Sequence, residues 1–231
     1  AAEVELGGDP ASDRTRHRAA LTVSQLADSW LSDHVEARRK AKTLHDYRGW
    51  MGRHIVPEIG SMKVSDVQVQ DVEKIVRDLS NHPTTANRVL AVISSMFTFA
   101  IRRHLVRDNP ARGIEKNKER KRKRHLSAEE LLRLGEVLLA AEERGDNQTG
   151  INALRFLLFT GMRRGEVETF RWSFVDWHYS RVHLPDSKTG EKILPIGQPA
   201  IDLLTLIRES QKQTSTHDEN GFVFPSAKAN G

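Results

Sequence analysis

The sequence contains no cysteine. Disulfides and cysteine-based zinc sites are thereby excluded, and the absence suits a reducing compartment. Tyrosine is almost as scarce: Tyr47 and Tyr179 are the only two in 231 residues. No continuous apolar run approaches the roughly 20 residues that span a bilayer. The opening stretch AAEVELGGDPASDRTRHR has no apolar core and does not read as a secretory signal. Acidic residues are in the minority, 31 against 36 Lys+Arg, for a formal charge of +5. That surplus is modest, so its placement matters more than its size. Arginine outnumbers lysine, 24 to 12. A guanidinium grips phosphate in a bidentate fork, whereas an ammonium acts as a point charge. A GC-rich genome would enrich arginine equally. Hydrophobic residues at 38% and charged residues at 29% give the composition of a soluble globular protein, with room for one large domain or two ordinary ones.

Residues 1–20 carry Gly7, Gly8 and Pro10 without any period, and read as a tail or linker. Helical patterning starts at TVSQLADSWL. Thr22 and Gln25 form a capping-box pair, and Val23, Leu26, Ala27, Trp30 and Leu31 share one face. A second helix is predicted from near Thr43, stopping before Pro57. A third covers VSDVQVQDVEKIVRDLS. A long fourth covers TTANRVLAVISSMFTFAIRRHLV and stops at RDNPA. Residues 21–111 thus read as a four-helix bundle, with Trp30, Trp50, Phe97 and Phe99 in its core. Residues 112–125 come next as a linker. In RGIEKNKERKRKR, residues 112–124, eight of thirteen residues are basic, opposed by Glu115 and Glu119. Such a segment serves as a solvated tether and equally as a strap for phosphate. Residues 126–231 open with a second capping-box pair, Ser127 and Glu130, and reach a buried helix at INALRFLLF. The period then changes. RVHLPD and KILPIG read as a β-hairpin with its loop at Lys188 to Glu191, AIDLLTLIRES returns to helix, and GFVFPS is a short extended piece. The class is mainly α, with a small antiparallel sheet in the second half.

Between the apolar helix and the hairpin stands TGMRRGEVETFRW, residues 160–172. Gly161 permits a tight turn that other residues resist. Arg163 is then expected in the first turn of the next helix, where free N–H groups and the dipole favour an anion. Glu166, one turn later, can help the helix start and pair with an arginine. A phosphate held at a helix start fits these residues. So does an exposed Arg-Arg pair beside a capping acid.

FTGMRRGEVETFRW resembles the first arginine motif of the tyrosine recombinases, the family of phage integrases and Xer-type recombinases. Thr160, Gly161, Met162, Arg163, Glu166, Phe170 and Trp172 fall at the motif's positions. LPDSKTGEKILPI is similar to the family's β-hairpin lysine motif and puts Lys188 at the catalytic lysine. FVFPS resembles the segment before the family's next motif. TVSQLADSWL, TLHDY…HIVPEIG and the fourth helix resemble the family's core-binding domain, and HLSAEEL resembles the opening of its catalytic domain, all in family order.

The resemblance implies a SAM-like helical core-binding domain, then part of an α+β catalytic domain, closing on double-stranded DNA as a clamp with the linker as hinge. It implies site-specific integration or excision of phage or mobile-element DNA without metal or cofactor. A tyrosine attacks a backbone phosphate, forming a 3′-phosphotyrosyl link and releasing a 5′-hydroxyl. Arg163 would stabilise the phosphorane-like transition state. Lys188 would protonate the leaving oxygen. Glu166 would buttress the site, Gly161 would shape its turn, and Arg164 takes no part. The family's second and fourth helices face the duplex. This nominates Lys42, Thr43, Arg48 and Arg53 on one, and Thr85, Asn87 and Arg88 on the other. Lys121, Arg122, Lys123 and Arg124 of the linker complete the DNA-binding set. A tetramer on DNA, accessory DNA-bending or directionality proteins and a bacterial host cytoplasm are also implied, with no membrane.

The family pattern continues with His-x-x-Arg and then the tyrosine, and the sequence departs from it there. HDYR at 45, HLVR at 104 and HYSR at 178 all precede the lysine motif, and so do both tyrosines. The chain is therefore expected to be an N-terminal recombinase fragment, monomeric, that binds DNA without cutting it. A non-catalytic DNA-binding regulator of the same fold and a host Xer-type recombinase are the alternatives. A metal-dependent nuclease would need clustered carboxylates, and none stand near Arg163 or Lys188.

Overall fold

Local signals set most helix boundaries in the computed structural model, which describes residues 20–120, 123–187, 190–214, 216 and 218–225. The expected tail at residues 1–20 lies almost wholly outside them. Helix α1 (Val23–Trp30) starts at its capping box: Thr22 Oγ1 accepts from the Gln25 N–H at 3.3 Å, and Gln25 Oε1 accepts from the Thr22 N–H at 2.9 Å. It runs on as a π-helical stretch, Leu31–Glu36. Helix α2 (Ala41–Trp50) also passes into a π stretch, Met51–Ile55, and then into α3 (Val56–Ile59). Pro57 does not stop this run, contrary to the sequence expectation. It sits in the first turn of α3, where its missing N–H is not needed. Helix α4 (Val69–Asp78) is capped at Gln68, whose N–H donates to Asp71 Oδ2 at 2.8 Å. Helix α5 (Pro83–Arg102) opens on proline and ends before His104, which lies at φ +57°, short of the expected end at RDNPA.

These helices share one core. Trp30 and Phe97 are fully buried and Phe99 nearly so. Tyr47 stacks on Trp30 with ring centroids 5.4 Å apart and meets Trp50 at 5.8 Å. By length and composition α5 could cross a membrane; its buried side chains instead belong to this core.

The chain divides into two compact units at Lys123 and Arg124, within the basic segment. In the second unit α6 (Ala128–Glu143) begins at Ser127, whose Oγ accepts from the Glu130 N–H at 3.2 Å. Helix α7 (Gln148–Thr160) begins before the run INALRFLLF, because Asn147 caps it by accepting from the Gly150 N–H at 3.2 Å. Then come α8 (Arg164–Glu168), a 3₁₀ turn (Trp172–Phe174), β1 (Val175–Asp176), β2 (Arg181–Ser187), β3 (Gly190–Pro195) and α9 (Gln198–Gln213). The sheet is antiparallel in the order β1-β2-β3, with Val182 opposite Leu194 and Leu184 opposite Lys192. Glu191 lies in β3, so the expected loop from Lys188 to Glu191 is shorter at its far end. Lys188 itself falls outside the described residues.

Phe156, Phe170 and Phe224 form the aromatic centre of the second unit, with centroids 5.1, 5.5 and 6.5 Å apart. Removing a buried phenylalanine ring typically costs about 3–5 kcal/mol. Phe156→Ala should destabilise this unit by that amount, read by denaturant unfolding; a loss below about 1 kcal/mol would deny the cluster that role. The rest of α7 is less buried than its composition suggests. Leu154, Leu158 and Phe159 are exposed, as are Leu132 and Leu139 on α6. A run that is apolar on every side does not say which sides are covered.

Candidate active site

The arginine motif is built on the turn that leaves α7. Gly161 ends the helix in the left-handed region, φ +62°, and its N–H donates to Leu157 O at 2.9 Å. Nothing lies within 4 Å of where a β-carbon would stand, so conformation rather than space selects glycine. Thr160 Oγ1 donates to Phe156 O at 2.7 Å and accepts from the Met162 N–H at 3.3 Å. Met162 is buried. The backbone entering Arg163 is thus fixed by a hydroxyl bridge and an apolar anchor.

Arg163 is the residue before α8, with φ −72° and ψ 145°, and not a member of its first turn as expected. Helix α8 has five residues. So short a helix contributes little dipole, and the positive character of this spot comes from side chains. Glu166 is buried, with 8% of its surface exposed. Its Oε2 accepts from the Arg163 backbone N–H at 3.0 Å and its Oε1 from Arg163 Nη1 at 2.8 Å. Lys192 Nζ reaches Oε2 at 3.5 Å. One carboxylate therefore collects two cations and a backbone donor. Arg163 still keeps 54% of its side chain exposed. Arg164 points away: it is 84% exposed and pairs with Glu168 at 2.6 Å.

Burial pushes the Glu166 carboxyl up. The hydrogen bonds from the Arg163 backbone and guanidinium, and the charges of Lys192 and Arg163, outweigh burial and hold it below its ordinary value of 4.5. A carboxyl depressed in the folded state adds stability that is present above its ordinary value and lost as pH falls through the depressed one. Glu166→Gln should therefore flatten the acid limb of stability below about pH 4.5. Parallel acid-unfolding curves for the two proteins would exclude this linkage.

Lys192 belongs to this site and was not among the residues nominated from sequence. Directly opposed residues in an antiparallel pair share a face, and Lys192 stands opposite buried Leu184. Its signal was parity: in EKILP it alternates with Leu194, on the core-facing side.

The residues nominated for DNA fare unevenly. Lys42, Arg48, Arg53, Arg88 and Lys123 are exposed, and Thr43 and Thr85 are partly so. Arg48 lies 3.9 Å from Glu36, Arg53 Nε donates to Gly49 O at 3.1 Å, and Arg124 pairs with Glu130. Asn87 has to be withdrawn as a direct contact. It is buried, 6% exposed, and its side chain is fully engaged within the protein. Lys121 and Arg122 lie outside the described residues. Among the described residues no three His, Asp or Glu side chains converge as metal ligands.

Residues 23–117 match the family model of the phage integrase central domain. The prophage integrase IntZ of Escherichia coli (strain K12) is 22% identical over 210 residues, covering 89% of this chain and 50% of that protein. The shufflon-specific DNA recombinase of Escherichia coli is 30% identical over 198 residues, 81% of this chain and 50% of that protein. The chain thus spans about half the length of these relatives. Among solved structures, a lambda integrase dimer bound to a COC′ core site matches over 98% of this chain and 65% of its own, with a TM-score of 0.73 and 19% identity. The Tn1549 transposon integrase in complex with circular intermediate DNA matches over 90% of this chain and 72% of its own, with a TM-score of 0.67 and 17% identity. The first unit thus matches the phage integrase central domain, the second carries the arginine motif built as a glycine turn and an Arg163–Glu166 pair, and the chain as a whole is similar to the phage integrases.

Proposed function

We propose that this chain is the DNA-binding part of a site-specific recombinase that integrates or excises mobile DNA, and that its arginine motif serves strand cleavage in the full-length protein. The observation that carries this reading is the state of Arg163. One guanidinium nitrogen is held by the buried Glu166 carboxylate while about half of the side chain stays open. A guanidinium oriented in this way keeps donors for a phosphate oxygen and needs little reorganisation to meet developing charge.

In the full-length protein a tyrosine supplied from outside these residues attacks the scissile phosphorus. The bond to the 5′-oxygen breaks, Lys188 gives that oxygen a proton, and a 3′-phosphotyrosyl link remains. Arg163 carries the charge of the phosphorane-like state. Glu166 fixes Arg163, and Lys192 balances Glu166. Tyr47 is stacked on Trp30 in the first unit, and Tyr179 stands between β1 and β2 with Arg181 over its ring at 4.5 Å. Neither takes the family's nucleophile position, so the chain alone binds duplex DNA as a monomer and does not cut it. The full-length protein works in the cytoplasm of a bacterial host, with accessory DNA-bending or directionality proteins, and assembles as a tetramer, as in the lambda integrase tetramer bound to a Holliday junction.

Salt dependence tests the binding. On duplex DNA, the slope of log K against log salt falls by about 0.9 for every phosphate that is no longer neutralised. Neutralising Lys121, Arg122, Lys123 and Arg124 together should flatten the slope by roughly two to four units, with Arg124 giving least because binding must compete with Glu130. An unchanged slope would reduce the segment to a tether.

A further inference from the structure

The first part of the linker is not a free tether. Ala111 is buried and Ile114 packs against the core of the first unit. The chain then reaches Asn87, near the start of α5, and one side chain holds it there. Asn87 Oδ1 accepts from the Asn117 N–H at 2.8 Å. Asn87 Nδ2 donates to Asn117 O at 2.9 Å and to Glu119 Oε1 at 2.8 Å. An asparagine amide has two N–H donors and a carbonyl, and here all three are engaged. Both backbone groups of Asn117 are satisfied by a single side chain, which takes the place of a neighbouring strand.

We propose that Asn87 is a positioning residue that locks the linker against α5 and thereby sets Lys116, Lys118 and Arg120 as a row of cations for the phosphate backbone of DNA. Residues 115–120 have no helical assignment. Glu119 turns to Asn87, and Asn117 is held against it. Lys116, Lys118 and Arg120 flank these two anchored residues, and all three are exposed. A row held in place loses less freedom on binding than a loose tether does. Burial of Asn87 at 6% excludes water from competing for the bonds that hold it. This inference rests on the DNA-binding reading above.

Two variants test it in the full 231-residue chain. Asn87→Asp keeps the size of the side chain, loses both N–H donors and sets a carboxylate against Glu119. Asn117→Pro removes the linker's N–H and leaves α5 untouched. Hydrogen exchange of the linker amides is measured without DNA. Affinity for a mixed-sequence duplex of about 30 base pairs is measured across a salt series. Both variants should exchange the linker amides about tenfold faster or more, with unchanged circular dichroism. Affinity at a single salt concentration should fall by about tenfold while the salt slope stays the same, because ordering is lost and no cation is. Unchanged exchange in both variants overturns the lock. Faster exchange with wild-type affinity overturns its role in binding and leaves the DNA-binding function standing. A flatter slope also overturns it, since that reports fewer neutralised phosphates rather than reduced order. A wild-type chain that does not bind the duplex overturns the DNA-binding function instead, and exchange still decides the lock. If Asn87→Asp unfolds the first unit, Asn117→Pro carries the test.

Discussion

Arg163→Ala in the full-length recombinase should lower strand cleavage by about 100- to 1,000-fold while leaving binding to the duplex largely intact. The exposed part of this side chain is what a phosphate can reach, and the fixed part is what orients it. Removal of the guanidinium also strips the buried Glu166 of one of its two cations and leaves it to the backbone N–H of residue 163 at 3.0 Å and to Lys192 at 3.5 Å. A disturbed turn would then add its own loss to that of the missing chemistry. Arg163→Lys separates the two. An ammonium can still neutralise Glu166, but it is a point charge without the fork that would serve carboxylate and phosphate at once. The lysine variant should therefore fold like wild type and still cleave at least about tenfold more slowly. Arg164→Ala should cost far less than either, because Arg164 is 84% exposed and turned to Glu168. Single-turnover cleavage rates at saturating DNA decide the matter. Equal losses at Arg163 and Arg164 would return the pair to a general electrostatic role.

Features written in residues close together in sequence were legible there, in the site and in the fold alike. Thr22 with Gln25, Ser127 with Glu130, and Arg163 with Glu166 are all three apart, and a single turn of backbone brings each pair together. Gly161 was legible because only its own φ is at stake. Lys192 was not, because its approach to Glu166 depends on the register of β2 against β3, which pins Leu184 to Lys192. Asn87 was misread for a related reason. On a helix expected to face DNA an asparagine looks like a base or phosphate contact, yet its partner is Asn117, 30 residues away. The π stretches at Leu31–Glu36 and Met51–Ile55 left no trace in a periodicity that simply reads as helix. The second of them lets the chain carry Pro57 into a fresh first turn, where the residue taken as a stop becomes a start.

The 231-residue chain should form no covalent link to DNA. A phosphotyrosyl bond needs a phenolic oxygen in line with the scissile phosphorus, and the two tyrosines are committed elsewhere. Tyr47 is half-buried against the first unit's core, stacked on Trp30 and tilted to Trp50. Tyr179 sits on the turn between β1 and β2 with Arg181 over its face and its own N–H donating to Asp176 Oδ1 at 3.2 Å. Arg163 and Lys188 can bind and polarise a phosphate, but neither can replace the nucleophile. The test uses a nicked suicide substrate carrying the attachment site, so that the cleaved strand diffuses away and any covalent intermediate is trapped. After incubation and denaturation, a gel should show only free protein and free DNA. A longer chain that continues into the family's His-x-x-Arg and tyrosine should give a shifted, denaturation-resistant band, lost again when that tyrosine becomes phenylalanine. An adduct formed by the 231 residues themselves would instead make Tyr179 the first candidate. Tyr179→Phe would then have to abolish it, since Tyr179 is 64% exposed and Tyr47 is half-buried and stacked on Trp30.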